Sequence, residues 1–374
     1  MRRSTITAAT SIFVAVLLWA AAFAGPAASG ATRSLAAIPA GFHAQSTSWV
    51  SSQQGWLLGV ASCGTSTCTT VDGTTNGGGS WSTLGTLGAP IANDDPSGVT
   101  EIRFADALHG YAFLPSLWAT VDGGATWTSQ TLPGGSNRVL ALAGDADAVY
   151  AVMSPCIVNQ SCTHQATLWK TTAGGTSWIR VRSVTLPVAV TATLTMSGAT
   201  AYVLAPPEMP NAVLDVTTDG QTWSSRPIPC DASIQETLWD VAAYSATDVA
   251  FVCISNAGIG LSDKRVFRSI DTGQTTTAAG RPPKGGNQTM LAAAPNGTLL
   301  VAASSGASFI YRNGGTTRWT TPLTLSDGGQ GWNDIQFVTK KLAFVVHGPV
   351  SCCGGFGPGE LYESQDGGLT WASV

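Results

Sequence analysis

Thr120-Val121-Asp122-Gly123-Gly124-Ala125-Thr126-Trp127 and Ser364-Gln365-Asp366-Gly367-Gly368-Leu369-Thr370-Trp371 follow one pattern, Ser/Thr-x-Asp-x-Gly-x-x-Trp. Each part of the pattern has a local physical job. An Asp side chain accepts N–H groups of its own turn. Gly supplies the positive φ that such a turn needs. The Trp opens the next strand and brings a large apolar area to bury. The pattern therefore predicts a β-hairpin whose Asp is a turn staple and not a catalytic acid.

Five further stretches repeat it with losses. Residues 74–81 carry Asn76 for Asp, residues 171–178 carry Ala173 there, and residues 217–223 keep Asp219 but are one residue short. Residues 269–276 keep Asp271 and end on Thr276, while residues 311–319 keep only Asn313, Gly315 and the Trp. Trp81 to Trp371 spans 290 residues in six intervals, about 48 per repeat. That period belongs to radial repeat architectures.

Upstream of each turn lies a second hairpin. Ile102-Arg103-Phe104 and Tyr111-Ala112-Phe113 flank one, and Ile335-Gln336-Phe337 and Leu342-Ala343-Phe344 flank another. Each repeat thus reads as four strands, A and B, then C entering the turn and D leaving it. Four-stranded units repeated radially are the blades of a propeller. A solenoid needs distinct capping repeats, and none is visible. The fold class is all-β, a seven-bladed β-propeller of four-stranded antiparallel blades, with residues 40–45 expected to complete or cover blade seven.

On these turns the chain resembles the Asp-box (BNR) β-propellers, a superfamily that includes sialidases, glycoside hydrolases, sortilin-type receptors and photosystem II assembly-factor-like proteins. The resemblance covers nearly all of residues 32–374. It implies the architecture and leaves activity open, since such folds host unrelated functions. It also implies structural roles for Asn76, Asp122, Asp219, Asp271 and Asp366. Sialidases carry an Arg-Ile-Pro motif that does not occur here. No Glu–Tyr arrangement stands out beyond Glu360, Tyr362 and Glu363.

Residues 1–31 read as a cleaved signal peptide. Arg2 and Arg3 precede an uncharged apolar run over residues 12–24, and Ala22-Phe23-Ala24 and Ser29-Gly30-Ala31 offer small residues for cleavage. An uncleaved anchor is the competing reading. Export to an extracellular or cell-envelope location suits eight Cys, which an oxidising compartment pairs. Zinc is disfavoured because no Cys-x-x-Cys occurs. Short spacing favours Cys63–Cys68 and Cys156–Cys162, leaving Cys230–Cys253 to tie adjacent blades and Cys352–Cys353 as a vicinal pair. The strand reading places all eight in B–C and D–A connections, on one face. Charged residues are only 11% of the chain, net charge is -4, and no basic stripe exists, which argues against nucleic acid.

Near that face, Glu101, Asp240 and Asp334 open strand A in blades two, five and seven, with Arg103 and Arg138 nearby. They are the candidate ligand-binding residues, a ring for a cation or polar ligand or ordinary lining of a wet channel. No catalytic residue, metal site or cofactor is expected. The favoured function is a monomeric, exported, non-catalytic propeller that binds a protein or glycan through the disulfide-stapled face. The alternatives are a glycoside hydrolase with an unrecognised site and a scaffold for a membrane complex.

Overall fold

The computed structural model describes residues 38–374 except 93, 159, 327, 329 and 350–358. The signal-peptide reading and Cys352–Cys353 lie outside the described residues. Seven four-stranded antiparallel sheets follow one another, each with its strands in sequential order. Blade one is His43–Trp49, Gly55–Cys63, Ser66–Thr74 and Ser82–Leu87. The innermost strands of the other six are Glu101–Phe104, Arg138–Gly144, Thr193–Ser197, Thr237–Ala243, Gln288–Ala293 and Gly331–Phe337. Each packs against the next, and the seventh packs against the first, closing a ring.

Period-two alternation explains why these segments pack as blades. The middle strands are buried on both faces, as in Val149–Ser154, Thr200–Ala205 and Ala343–Gly348. The outermost strands, such as Thr128–Ser129 and Ser224–Ser225, are short and exposed. Short outer strands blunt the edge that a longer one would offer to another chain.

The turn tryptophans fill the gaps between blades. Trp127 meets Phe104 edge-on at 6.1 Å, Trp178 meets Tyr111 at 6.3 Å, and Trp223 meets Tyr150 at 5.4 Å. Trp178 and Trp223 reach back to the preceding blade, while Trp127 meets the innermost strand of its own. Such aromatic pairs contribute on the order of 1 kcal/mol beyond the area they bury.

The repeated turns are held as the sequence predicts. In residues 120–127 the Thr126 N–H donates to Asp122 Oδ1 at 2.9 Å, and the Gly124 N–H donates to Thr120 Oγ at 3.0 Å. Asp366 accepts the Thr370 N–H at 2.9 Å, Asp271 the Thr275 N–H at 2.9 Å, and Asn76 the Ser80 N–H at 2.9 Å. The short copy works too, with Asp219 accepting from Gln221 and Thr222 at 2.8 Å each. Where Ala173 replaces Asp, the Thr171 hydroxyl donates to the Ser177 carbonyl at 3.0 Å.

Residues 40–45 do not complete blade seven, which has four strands of its own. They lead into the innermost strand of blade one, and touch blade seven through the Ala44 N–H, which donates to the Gly359 carbonyl at 3.2 Å. Aromatic side chains fill the seam between these blades. Trp49 stacks on Phe344 at 4.6 Å and takes Trp81 edge-on at 5.6 Å.

Candidate functional site

In blades one, three, five and seven the innermost strand slips by one residue against its neighbour, at Gln45, Leu140, Trp239 and Asn333, and the slips at Gln45, Trp239 and Asn333 shape the mouth. A bulge leaves one residue unpaired and re-aims the side chain that follows. Both consequences are present. Gln45, Trp239 and Asn333 line a cavity of about 270 Å³ at the channel mouth. The residues after them reach into the next blade. Ser46 Oγ accepts the Ile102 N–H at 3.2 Å, Asp240 Oδ2 accepts the Leu291 N–H at 2.8 Å, and Asp334 Oδ2 accepts the Thr47 N–H at 3.0 Å. Adjacent innermost strands share no ladder, so these side chains staple blade to blade.

Three of the five candidate residues come together at the seam of blades seven, one and two. Arg103 Nη1 lies 3.1 Å from Asp334 Oδ2, and Arg103 Nη2 lies 3.1 Å from Glu101 Oε2. The Ser46 hydroxyl donates to Asp334 Oδ2 at 2.8 Å. Asp240 stands apart, on the larger channel cavity of about 580 Å³ that Glu101, Arg103 and Asp334 also line. Arg138 does not join the group. It opens the innermost strand of blade three, and its Nε is buried without a partner.

The electrostatics follow from burial. Glu101 is pushed up to about 7, first by burial, with Arg103 opposing and Asp334 adding to the rise. About a fifth of its side chain (21%) still meets solvent, which tempers the effect. Burial pushes Asp240 up to about 6 against the Leu291 and Val241 N–H groups that favour its charge. Burial works against the Arg103 charge, but Asp334 and Glu101 more than offset it and hold the guanidinium above its ordinary value. The mouth is thus a polar, partly protonated channel whose one lining guanidinium is already engaged by two carboxylates.

Around the mouth, three disulfides lock the connections. Cys63–Cys68 closes the B–C hairpin of blade one and Cys156–Cys162 the B–C loop of blade three. Cys230–Cys253 fixes the connection into blade five. Cys253 is not in a loop, as the sequence reading had it. It is fully buried within the strand Val249–Gly258. Two of these connections expose Ile157 and Ile234, and the B–C connections of blades four and five on the same face expose Met209 and Ile259. On the opposite face the exposed apolar side chains include Val121, Ile270 and Leu369, one each in repeated turns of three different blades. No helix among the described residues is long and apolar enough to cross a membrane.

Neither a protein-family model nor a curated protein matches the chain. Solved structures do. YCF48 bound to D1 peptide is similar over 83% of this chain and 92% of its own, with a TM-score of 0.54 and 16% identity. The β-propeller domain of the Trilobed protease from Pyrococcus furiosus, described as an open velcro topology, covers 88% of this chain and 94% of its own, with a TM-score of 0.54 and 7% identity. The Pyrococcus horikoshii acylaminoacyl peptidase covers 89% of this chain with a TM-score of 0.53 and 9% identity, and the match takes in only 52% of that protein. At these identities the likeness is one of fold, and the fold it supports is the β-propeller.

Proposed function

We propose that this chain is an exported, non-catalytic Asp-box propeller that binds a segment of another protein across its disulfide-bearing face. The observation that carries this reading is where rigidity and apolar exposure coincide. Three disulfides and the exposed Ile157, Met209, Ile234 and Ile259 all belong to the connections of one face, around the channel mouth. Pre-ordered loops bind at lower entropic cost, and exposed apolar side chains favour a protein over a glycan. A propeller of similar fold, YCF48, is described bound to a peptide, which supports the use of such a scaffold for peptide binding. The turn hydrogen bonds support the Asp-box reading. Hydrolysis has less support, because two-carboxylate chemistry needs an acid and a base across one cleft, and of the four carboxylates that line the channel, Glu101, Glu208, Asp240 and Asp334, Arg103 already engages two.

The test is to probe an array of unstructured peptides and a glycan array with the oxidised protein and with the mildly reduced protein. Binding is expected on the peptide array alone, weakened by reduction while the far-UV spectrum is unchanged. Binding to glycans only, or peptide binding insensitive both to reduction and to Ile259→Ser, overturns the proposal.

A further inference from the structure

Lys264 lies in the third strand of blade five, Leu261–Ser269, and none of it reaches solvent (0% exposed). Its Nζ donates toward five backbone carbonyl oxygens. Gly285 and Gly286 are at 2.8 Å, Lys284 at 3.1 Å, Ser262 at 3.3 Å and Pro283 at 3.4 Å. The Tyr311 ring lies 5.8 Å away. Among the described residues no carboxylate pairs with it. The adjacent Asp263 faces Lys284 at 2.9 Å and Arg281 at 3.7 Å instead.

Burying an ammonium without a counter-ion is costly unless its hydrogen bonds are met. Here the acceptors outnumber the three ammonium protons. That is how carbonyl oxygens replace the hydration shell of a bare cation, and not how a lysine is met in a one-to-one pair. The oxygens are also held independently of the lysine. The Ser262 N–H donates to the Lys284 carbonyl at 2.9 Å and its hydroxyl to the Gly286 carbonyl at 2.8 Å, while the Tyr311 hydroxyl donates to the Gly285 carbonyl at 3.0 Å. Gly286 takes φ +79°, and a Cβ there would meet Ser304 N at 2.6 Å, so the inward curl of 283–286 requires glycine at that point.

We propose that residues 283–286 and Ser262 form a monovalent-cation site which the chain fills with its own Lys264 ammonium. Its ligand class is a singly charged, weakly hydrated cation, ammonium or potassium. A divalent ion needs carboxylate or water ligands, and the cage presents only carbonyls. The tethered ammonium fastens the connection from blade five to blade six onto the B–C hairpin of blade five, on the disulfide-bearing face. The site stands on these distances and is independent of what that face binds.

The test is thermal melting of the full protein and of Lys264→Ala in ammonium, potassium and choline chlorides at matched concentration. Removing the buried cation is expected to lower Tm by roughly 4 °C in choline. Ammonium and potassium should bind the vacated cage and recover about half of that loss, saturably, while Val266→Ala, a cavity variant of the same strand, shows no such preference. No loss in Lys264→Ala, or a loss that all three salts treat alike, overturns the proposal. Should the variant not fold, ¹⁵N-lysine NMR of the unaltered protein decides. A slowly exchanging Lys264 ammonium signal near neutral pH is expected, and its absence overturns the cage.

Discussion

The two faces of the ring are built on different rules. On the face of the repeated turns, five of the seven blades solve the same problem in the same way, a Thr or Ser hydroxyl and an Asp carboxylate or Asn amide oxygen satisfying the N–H groups of one hairpin. On the face of the channel mouth the blades differ more, although blades one and three share a B–C disulfide and a bulge. Blade one carries a disulfide and a bulge, blade five a disulfide, a bulge and a caged lysine, and blade seven a bulge and a buried carboxylate. Repetition marks the side that only has to fold. Departure from repetition marks the side where individual blades have acquired individual chemistry.

The largest expected effect lies at the mouth. Asp334→Ala strips Arg103, Ser46 and the Thr47 N–H of their shared acceptor, and breaking a buried pair of this kind costs about 3 kcal/mol, or roughly 4 °C in Tm for a chain of this size. Differential scanning calorimetry measures it. A loss no larger than that of a turn variant would mean that the seam does not depend on this carboxylate.

The next concerns pH. Glu101 and Asp240 have folded-state pKa values raised to about 7 and about 6. Asp72, wholly buried in blade one, is pushed up by burial, with the nearby Thr83 hydroxyl opposing the shift without making a full hydrogen bond. Groups shifted upward bind protons more tightly in the folded chain. Their contribution is complete below the unfolded carboxylate pKa and is lost as pH rises through the folded value. The turn carboxylates are shifted the other way, Asp122 down to about 2 by the Thr126 hydroxyl and N–H, and change nothing in this window. Tm is therefore expected to fall by about 2–4 °C between about pH 5 and about pH 8, and Asp240→Asn should flatten part of the slope. A rising Tm would reverse the assignment.

On the turn face the effects are smaller. Asp122→Ala removes one exposed staple, costing about 1 kcal/mol or roughly 2 °C, with ligand binding unaltered. The smallest stability effect gives the sharpest contrast between faces. Ile259→Ser and Ile270→Ser both replace exposed side chains and are each expected to stay within about 0.5 kcal/mol of the parent. Peptide binding should fall only for Ile259→Ser. Equal binding by the two variants would erase the functional difference between the faces.

The turn face was legible because its chemistry is local. Thr120, Asp122, Gly124 and Trp127 sit within one hairpin, and their roles follow from spacing alone. Even the degenerate copy holds, with Asn313 Oδ1 accepting the Gly315 N–H at 2.8 Å. The mouth was legible only in part. Equivalent positions in the repeat singled out Glu101, Asp240 and Asp334, and Arg103 with them, but Arg138, in the innermost strand of blade three, does not join the cluster. Gln45, Trp239 and Asn333 went unnoticed, because a bulge depends on how two strands register against each other. A break in alternation at Leu238-Trp239-Asp240-Val241 is the one trace it leaves in the sequence. Lys264 left none. Its acceptors are carbonyls of a loop some twenty residues on, and backbone oxygens carry no sequence signature.

Every blade is one unbroken stretch of chain, with no strand exchanged between the first and the last. During synthesis this sets an order in time. Each sheet can finish as soon as its own repeat has left the ribosome, because chains fold unit by unit from the N-terminal end. Only the seam with blade seven has to wait for that blade's own residues. Until Phe344 and Asp334 arrive, Trp49 and the Thr47 N–H of the first blade have no counterpart, so the first blade made is the last one to be covered.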